Sequence, residues 1–146
     1  MKEVYIASGW FNPTQAIQLD QIKALLDDMK VSYFSPKDEA LATSTDPQFK
    51  LKEIFDGNIA AIRQCQFVIA NTQNKDMGTI FECGTAYMMG IPILYFAEGL
   101  TGPFNLMLAQ SGYGVATSIE ELRKLVTMFR EGGGVFTSTG YKGQIE

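Results

Sequence analysis

Residues Gln73 to Tyr95 read QNKDMGTIFECGTAYMMGIPILY, and this stretch decides the fold. It lies between two apolar runs of strand type, Phe67 to Ala70 before it and Pro92 to Phe96 at its end. The residues between the runs are predicted to form a helix that starts near Thr79 and stops before Gly90, because glycine and proline end helices. A strand, a helix and a second strand in this order predict two parallel strands joined by a crossover.

The same alternation of strand-length and helix-length segments extends through the rest of the chain. Strands are predicted at Val4 to Ala7, Val31 to Phe34, Phe67 to Ala70, Pro92 to Phe96 and Tyr113 to Ala116. Further helices are predicted from Pro13 to Met29, from Asp46 to Gln64 with Pro47 at the first helical position, and after a capping box of Ser118 and Glu121. These elements predict an α/β fold, a three-layer αβα sandwich around a five-stranded parallel sheet of flavodoxin-like or Rossmann-like type.

Length and charge restrict the class of protein. The chain has 146 residues, of which 46% are hydrophobic, so we expect one domain over residues 1–146, with residues 132–146 as a tail that completes a pocket. A net charge of −4 without a cluster of Lys and Arg argues against binding to nucleic acid. The sequence has no signal peptide and no apolar run of the roughly 20 residues that span a bilayer, which predicts a cytoplasmic protein without a membrane partner.

Composition also limits the chemistry. The chain contains no histidine, which excludes Ser-His-Asp and Cys-His nucleophiles, and its two cysteines, Cys65 and Cys83, lack the spacing of a zinc site. A phosphate-binding glycine loop is missing as well. We therefore expect neither a metal nor a cofactor, and acid–base work is left to Asp, Glu, Tyr or Lys.

Glu82 is the carboxylate that this reasoning singles out. It follows the carboxyl end of a predicted parallel strand, where open α/β sheets bind their ligands. A structural interpretation is also open, because Thr79-x-x-Glu82 has the pattern of a capping box in which the glutamate satisfies a backbone amide.

Four segments in order resemble one enzyme family. They are YIASGWF at Tyr5 to Phe11, the pattern D-x-G-x-x-x-E-x-G-x-A from Asp76 to Ala86, GIP at Gly90 to Pro92, and P-x-N-L-M at Pro103 to Met107. With these motifs the chain resembles the nucleoside 2-deoxyribosyltransferases. The resemblance covers most of the chain and implies transfer of 2-deoxyribose between nucleobases, in two steps with retention of configuration, through a covalent sugar ester.

The resemblance implies a role for each matching catalytic residue. Glu82 would be the nucleophile, Tyr5 would hold its carboxylate by a hydrogen bond, and Asp76 would contact the base and assist its departure. For Tyr5 the alternative is ordinary strand core, and for Asp76 it is a solvated loop carboxylate.

Other matching residues would bind substrate. Phe11 would stack on the base, and Gly78 would lie beside the substrate unless it only relieves strain in the turn. Asn105 and Met107 would enter the site of a neighbouring subunit, with the asparagine on the sugar hydroxyls. A helix N-cap is the alternative for Asn105.

The chain departs from the family pattern at two positions. Asn58 stands where many members have an aspartate that contacts the base, and an amide cannot deliver a proton at neutral pH. Asn58 is alternatively an exposed helical residue. The ending YKGQIE finishes in Glu146 where some members end in tyrosine. Both departures affect the choice of base more than the type of reaction.

The expected partners are therefore 2-deoxynucleosides and free purine or pyrimidine bases, with a homo-oligomer, a hexamer built as a trimer of dimers, completing the sites. Two alternatives remain. One is a hydrolase of the same superfamily that acts on 2-deoxynucleoside 5-monophosphates, for which Thr137 to Thr139 and Lys142 are candidate phosphate ligands. The other is a non-catalytic nucleotide-binding module.

Overall fold

A computed structural model describes residues 1–39, 41–132 and 143–146. In this part of the chain five strands form one parallel sheet with the order β2-β1-β3-β4-β5. The strands are β1 Val4–Ala7, β2 Tyr33–Phe34, β3 Phe67–Asn71, β4 Ile93–Phe96 and β5 Gly114–Ala116. The helices are α1 Pro13–Asp28, α2 Pro36–Glu39, α3 Gln48–Gln64, α4 Met77–Met88, α5 Leu106–Ser111 and α6 Ile119–Glu131.

Helices cover both faces of the sheet, which gives the predicted three layers. Neighbouring residues of a strand point to opposite faces, so each face contributes its own set of apolar side chains. Val4, Ile6, Phe67, Ile69, Leu94 and Phe96 pack against α1 and α6. Tyr5, Ala7, Val68, Ala70, Ile93 and Tyr95 pack against α3, α4 and α5. The predicted α/β fold with a five-stranded parallel sheet is confirmed.

The strand order reverses between β1 and β3. The chain leaves β1 toward one edge of the sheet, and from β3 it proceeds toward the other edge. Loops that follow two such strands diverge and leave a crevice at their carboxyl ends, which is the usual ligand position in this topology. Here those loops are residues 8–12 and 72–76.

Several predicted elements begin elsewhere in the structure: the strands predicted from Pro92 and Tyr113 begin one residue later, and three other elements differ by two residues. The strand predicted from Val31 is shorter, because Lys30 adopts a left-handed conformation (φ 58°) and Val31 N–H bonds Leu26 O at 2.9 Å, which closes the end of α1. The helix predicted from Asp46 begins at Gln48, with Pro47 as its N-cap instead of its first residue.

The helix predicted from Thr79 begins two residues earlier, at Met77. The short helices α2 and α5 were not predicted as elements, since each spans less than two turns and shows no apolar period. Half of the predicted capping box of α6 forms: Ser118 Oγ accepts from Glu121 N at 3.2 Å, whereas the Glu121 carboxylate accepts from Thr117 N at 2.7 Å instead of from the N-cap amide of Ser118.

The last described residues lie beside the start of α5. Phe104 and Ile145 form a parallel bridge, and Leu106 N donates to Glu146 O at 2.8 Å. Gly132 ends α6, and residues 133–142 of the predicted tail, which include Thr137 to Thr139 and Lys142, lie outside the described residues. Among the helices described, none has the length and apolar character needed to cross a bilayer.

Candidate active site

The structure brings Tyr5 and Glu82 together. Tyr5 lies at the centre of β1 and is fully buried, and its hydroxyl donates a hydrogen bond to Glu82 Oε2 from the second turn of α4. The ring of Phe34 stacks on that of Tyr5, with 5.5 Å between the centroids and 12° between the planes. The Tyr5 hydroxyl is thus held in place from β1 and fixes one oxygen of the carboxylate.

Glu82 does not cap its helix. Because α4 begins at Met77, the sixth helical residue is Glu82, too far from the helix start for a capping box. The capping interpretation from the sequence is therefore wrong, and the N-cap is Asp76.

Burial determines the protonation of Glu82. Desolvation raises the pKa of its carboxyl group from 4.5 to about 8, because the charged form loses contact with water. A perturbed carboxyl group at the ligand-binding edge of a sheet is typical of a functional residue. A desolvated carboxylate is also a stronger nucleophile toward a developing cation than one surrounded by water.

Asp76 has a structural role in α4, which the sequence interpretation of a free loop carboxylate missed. Its Oδ2 accepts from both the backbone N and the Oγ1 of Thr79, each at 2.9 Å. Among the described residues none hydrogen-bonds the second oxygen, Oδ1. One oxygen of Asp76 thus caps the helix, while the other is free to contact a ligand.

Phe11 lies in the loop after β1, and Gly78 lies in α4, just after the loop that follows β3. Phe11 follows β1, is 72% exposed, and packs on Trp10 with 4.9 Å between ring centroids. Gly78 is exposed in the first turn of α4, and a Cβ there would lie 3.4 Å from Asp76 Oδ2. A methyl group at that position would make an ordinary contact with the capping carboxylate.

Asn58 lies in a separate but adjacent hollow. It is half-buried on α3 and lines a cavity of about 530 Å³ together with Phe34, Leu41, Lys50 and Glu53. The cavity is connected to the Tyr5–Glu82 pair through Phe34, whose ring stacks on Tyr5. An exposed helical residue, the alternative interpretation, does not describe Asn58.

Asn105 and Met107 lie at the start of α5 and do not contact Glu82 within the described part of the chain. Asn105 caps α5, with its Oδ1 accepting from Leu108 N at 3.2 Å, and Met107 is 74% exposed. Both residues line a cavity of about 390 Å³ that also includes Lys75 and Glu146. The N-cap interpretation of Asn105 is confirmed, and its proposed contact with substrate stays a prediction.

A buried polar network beneath the loops was missed by the sequence analysis. Its side chains belong to Ser8, Gln15, Gln18 and Asn71, all less than 10% exposed. Asn71 Nδ2 donates to Ser8 Oγ at 3.2 Å and to Gln18 Oε1 at 3.3 Å, joining the ends of β1 and β3. One feature of the sequence could have indicated this network. Two glutamines of α1 recur at helical spacing on the same face as Leu19 and Ile22, which is the buried face of the helix.

The cysteines do not contribute a reactive group. Cys65 and Cys83 are buried in the core against α3 and α4, and burial raises the pKa of their thiols to about 11 and about 12. Thiolate chemistry at neutral pH is therefore disfavoured. Among the described residues no group of three His, Cys, Asp or Glu is arranged to hold a metal ion.

Comparisons with known proteins show the family. The model of the nucleoside 2-deoxyribosyltransferase family matches residues 4–117, which include Tyr5, Asp76 and Glu82. Because the match covers well over half of the chain, the protein belongs to this family. No curated protein gives a significant match.

Solved structures share the fold. The 2-deoxyribosyltransferase from the bacterium Bacillus psychrosaccharolyticus has a TM-score of 0.72 at 23% identity, over 82% of this chain and 89% of that chain. A conserved protein from Enterococcus faecalis gives 0.69 at 16% identity, over 87% and 98%. The CMP N-glycosidase BcmB from Clostridium botulinum gives 0.54 at 15% identity, over 85% and 97%.

Proposed function

We propose that this protein is a nucleoside 2-deoxyribosyltransferase that exchanges the nucleobase of 2-deoxyribonucleosides in a ping-pong reaction. The observation that carries the proposal is the hydrogen bond from the buried Tyr5 hydroxyl to Glu82, at the edge of the sheet where ligands bind. It supports Glu82 as a carboxylate oriented for attack. Family membership and the similar fold of a 2-deoxyribosyltransferase support the same reaction.

The first half-reaction forms a covalent intermediate. As the bond between C1′ and the base nitrogen breaks, its electron pair leaves with the base, and the free oxygen of Glu82 forms an ester bond to C1′ from the opposite face. The transition state resembles an oxocarbenium ion, which the adjacent carboxylate stabilises. A sugar without a 2-hydroxyl suits this route, because no electron-withdrawing group opposes the developing positive charge.

Asp76 contacts the base and assists its departure. Its unpaired Oδ1 faces no competing partner among the described residues, so it is free to share or supply a proton where negative charge develops on the base. Asn58 cannot deliver a proton and would instead donate and accept hydrogen bonds, which favours a role in choosing the base. Phe11 stacks on the same base.

In the second half-reaction a different base attacks C1′ and displaces Glu82. Two successive inversions restore the original configuration at C1′. Asn105, Met107 and Glu146 are exposed at one cavity, which supports their use by a neighbouring subunit in a homo-oligomer, a hexamer arranged as a trimer of dimers. The small-molecule partners are 2-deoxynucleosides and free bases, and the enzyme acts in the cytoplasm.

A hydrolase is the second candidate, and the fold similarity to a CMP N-glycosidase favours it. In this reaction water, instead of a second base, would release the sugar from Glu82, and a 5-monophosphate would be the substrate.

Chromatography of the protein with a 2-deoxynucleoside, with and without a second free base, tests the proposal. A new deoxynucleoside formed only in the presence of the second base supports transfer. Equal release of free base in both cases, or release only from a 5-monophosphate, supports the hydrolase. No turnover of either substrate would overturn both and leave a binding module.

A further inference from the structure

Gln15 occupies a position where a glutamine is unexpected. It lies in the first turn of α1, on the buried face of the helix, and is 4% exposed. A buried amide costs free energy unless its donor and acceptor are satisfied, so its partners indicate why it is there.

Both ends of the Gln15 amide are hydrogen-bonded, and they bond different loops. The Oε1 atom accepts from the backbone N of Phe11 at 3.0 Å, in the loop that follows β1. The Nε2 atom donates to the backbone O of Gln73 at 3.1 Å, in the loop that follows β3. One side chain thus joins the loop that carries Phe11 to the loop that leads to Asp76.

The surroundings hold this amide rigidly. Gly9 lies so close that an added Cβ would be 2.7 Å from Gln15 Oε1, so the glutamine fills the space that a side chain there would need. The backbone N of Gln15 bonds the Asn12 N-cap at 2.9 Å. Behind it, Gln18 Nε2 donates to Glu98 Oε2 at 3.0 Å, which extends the network toward the loop after β4.

The second loop contains backbone strain that needs such support. Asn74 and Lys75 both have positive φ, 59° and 50°, and they immediately precede Asp76. Two consecutive left-handed residues cost free energy and persist where surrounding contacts fix them. The bond from Gln15 to Gln73 is one such contact, one residue before the strained pair.

We propose that Gln15 is a positioning residue that sets the distance between the two loops of the site. The inference rests on the proposed function, because Phe11 and Asp76 act there on opposite sides of the same base. Gln15 acts through these loops and does not touch substrate. With the amide intact, the base is held between a ring and a carboxylate at a fixed separation, which orients the C1′–N bond toward Glu82.

Substitution of Gln15 by an isosteric apolar residue tests whether its amide positions the two loops. Gln15→Met fills the same volume and removes both hydrogen bonds, whereas Gln15→Glu keeps an acceptor for Phe11 N and loses the donor to Gln73 O. We expect Gln15→Met to lower kcat/KM for the donor nucleoside by roughly tenfold and to raise KM, because misplaced groups reduce the rate strongly. Gln15→Glu should fall between wild type and Gln15→Met. Gln64→Met, an exposed glutamine on α3, is the matched control.

Hydrogen exchange on the free protein gives a readout that is independent of activity. In Gln15→Met the amide of Phe11 should exchange faster, with the amides of residues 73–76, while those of β1 and β3 stay protected. Gln15→Glu should leave the Phe11 amide protected. Unchanged exchange and kcat/KM in Gln15→Met would overturn the proposal, as would an equal loss of protection throughout the fold. Faster loop exchange in a protein that transfers no sugar would refute the proposed function. It would still support Gln15 as the residue that joins the two loops.

A double-mutant cycle separates Gln15 from Gly9. Gly9→Ala should displace the Gln15 amide and reduce kcat/KM, but it should have little effect in a Gln15→Ala background, where the added methyl group has room. If Gly9→Ala costs the same in both backgrounds, Gly9 acts by itself and the close contact with Gln15 does not position the loop.

Discussion

The reactivity of Glu82 depends on two opposing effects at a single carboxyl group. Burial disfavours its charged form, and the hydrogen bond from Tyr5 favours it. Desolvation raises the pKa of Glu82 to about 8, so the group exchanges its proton in slightly alkaline solution. In the proposed reaction, attack on C1′ requires the carboxylate, so the protonation of Glu82 would control the first half-reaction.

The pH dependence of that step follows from the sign of the shift. Because the pKa of Glu82 is raised to about 8, the carboxylate fraction increases as pH rises toward this value. The rate at which a donor nucleoside labels Glu82 should therefore increase with pH and level off above it. Tyr5→Phe should move the midpoint to higher pH, because the carboxylate loses a donor. Mass spectrometry of the labelled peptide after rapid quenching measures both rates. A profile that is flat through neutral pH, or label on another residue, contradicts the assignment.

Asp76 combines capping with a proposed contact to the base, and two substitutions separate these roles. Asn is as good an N-cap as Asp, so Asp76→Asn should keep the wild-type melting temperature while the rate of base exchange falls. Asp76→Ala should lose the same activity and in addition about 0.5–2 kcal/mol of stability, since Thr79 N loses its acceptor. Thermal unfolding and steady-state exchange assays measure the two effects. Full activity in Asp76→Asn would leave only the structural role.

Among the elements, α4 determines where Glu82 lies. Asp76 caps its start, and its end closes through Gly90, which has a φ of 73° and whose N–H bonds Tyr87 O at 3.0 Å. Glu82 lies between these two closed ends, and its side chain reaches Tyr5 on β1. Both ends of α4 therefore help to fix the position of Glu82.

Two glycines of this region should respond oppositely to alanine. Gly90→Ala forces a Cβ into a left-handed conformation and should cost roughly 1–2 kcal/mol. Gly84 lies inside α4 without a positive φ, and an added Cβ would meet open space, so Gly84→Ala should stabilise by about 1 kcal/mol. Chemical denaturation of both variants gives the comparison. The prediction is wrong if both changes have the same sign.

The elements that the sequence predicted are those whose signals are local. β1 and the start of α1 agree with the prediction to the residue, because a buried apolar run and a proline at the first helical position mark their ends. The early start of α4 was missed because Thr79-x-x-Glu82 and Asp76-x-x-Thr79 compete as start signals. In the structure the second signal is used: Asp76 caps the helix, and the Glu82 side chain bonds Tyr5 on β1 instead of a backbone amide at the helix start.

At the scale of the whole molecule, the residues that the sequence analysis could not find are those that join loops distant in the chain. The bond from Gln15 to Gln73 spans 58 positions, and that from Asn71 to Ser8 spans 63. Neither leaves a pattern in a single sequence, since periodicity reports one element at a time. Tyr5 and Glu82 are 77 positions apart, and the sequence analysis connects them only through the resemblance to the family.

In the proposed assembly each site contains residues from more than one subunit. Mixing two inactive variants tests this arrangement. If Asn105 of one subunit completes the site of another, Glu82→Ala and Asn105→Ala subunits, each inactive by itself, should form some sites that contain both intact residues. Random exchange of subunits in equal amounts should restore roughly a quarter of the wild-type activity. Activity is measured after partial unfolding and refolding of the mixture, and the control is a mixture without this step. If Asn105 serves the Glu82 of its own chain, every site in the mixture lacks one residue and no activity returns.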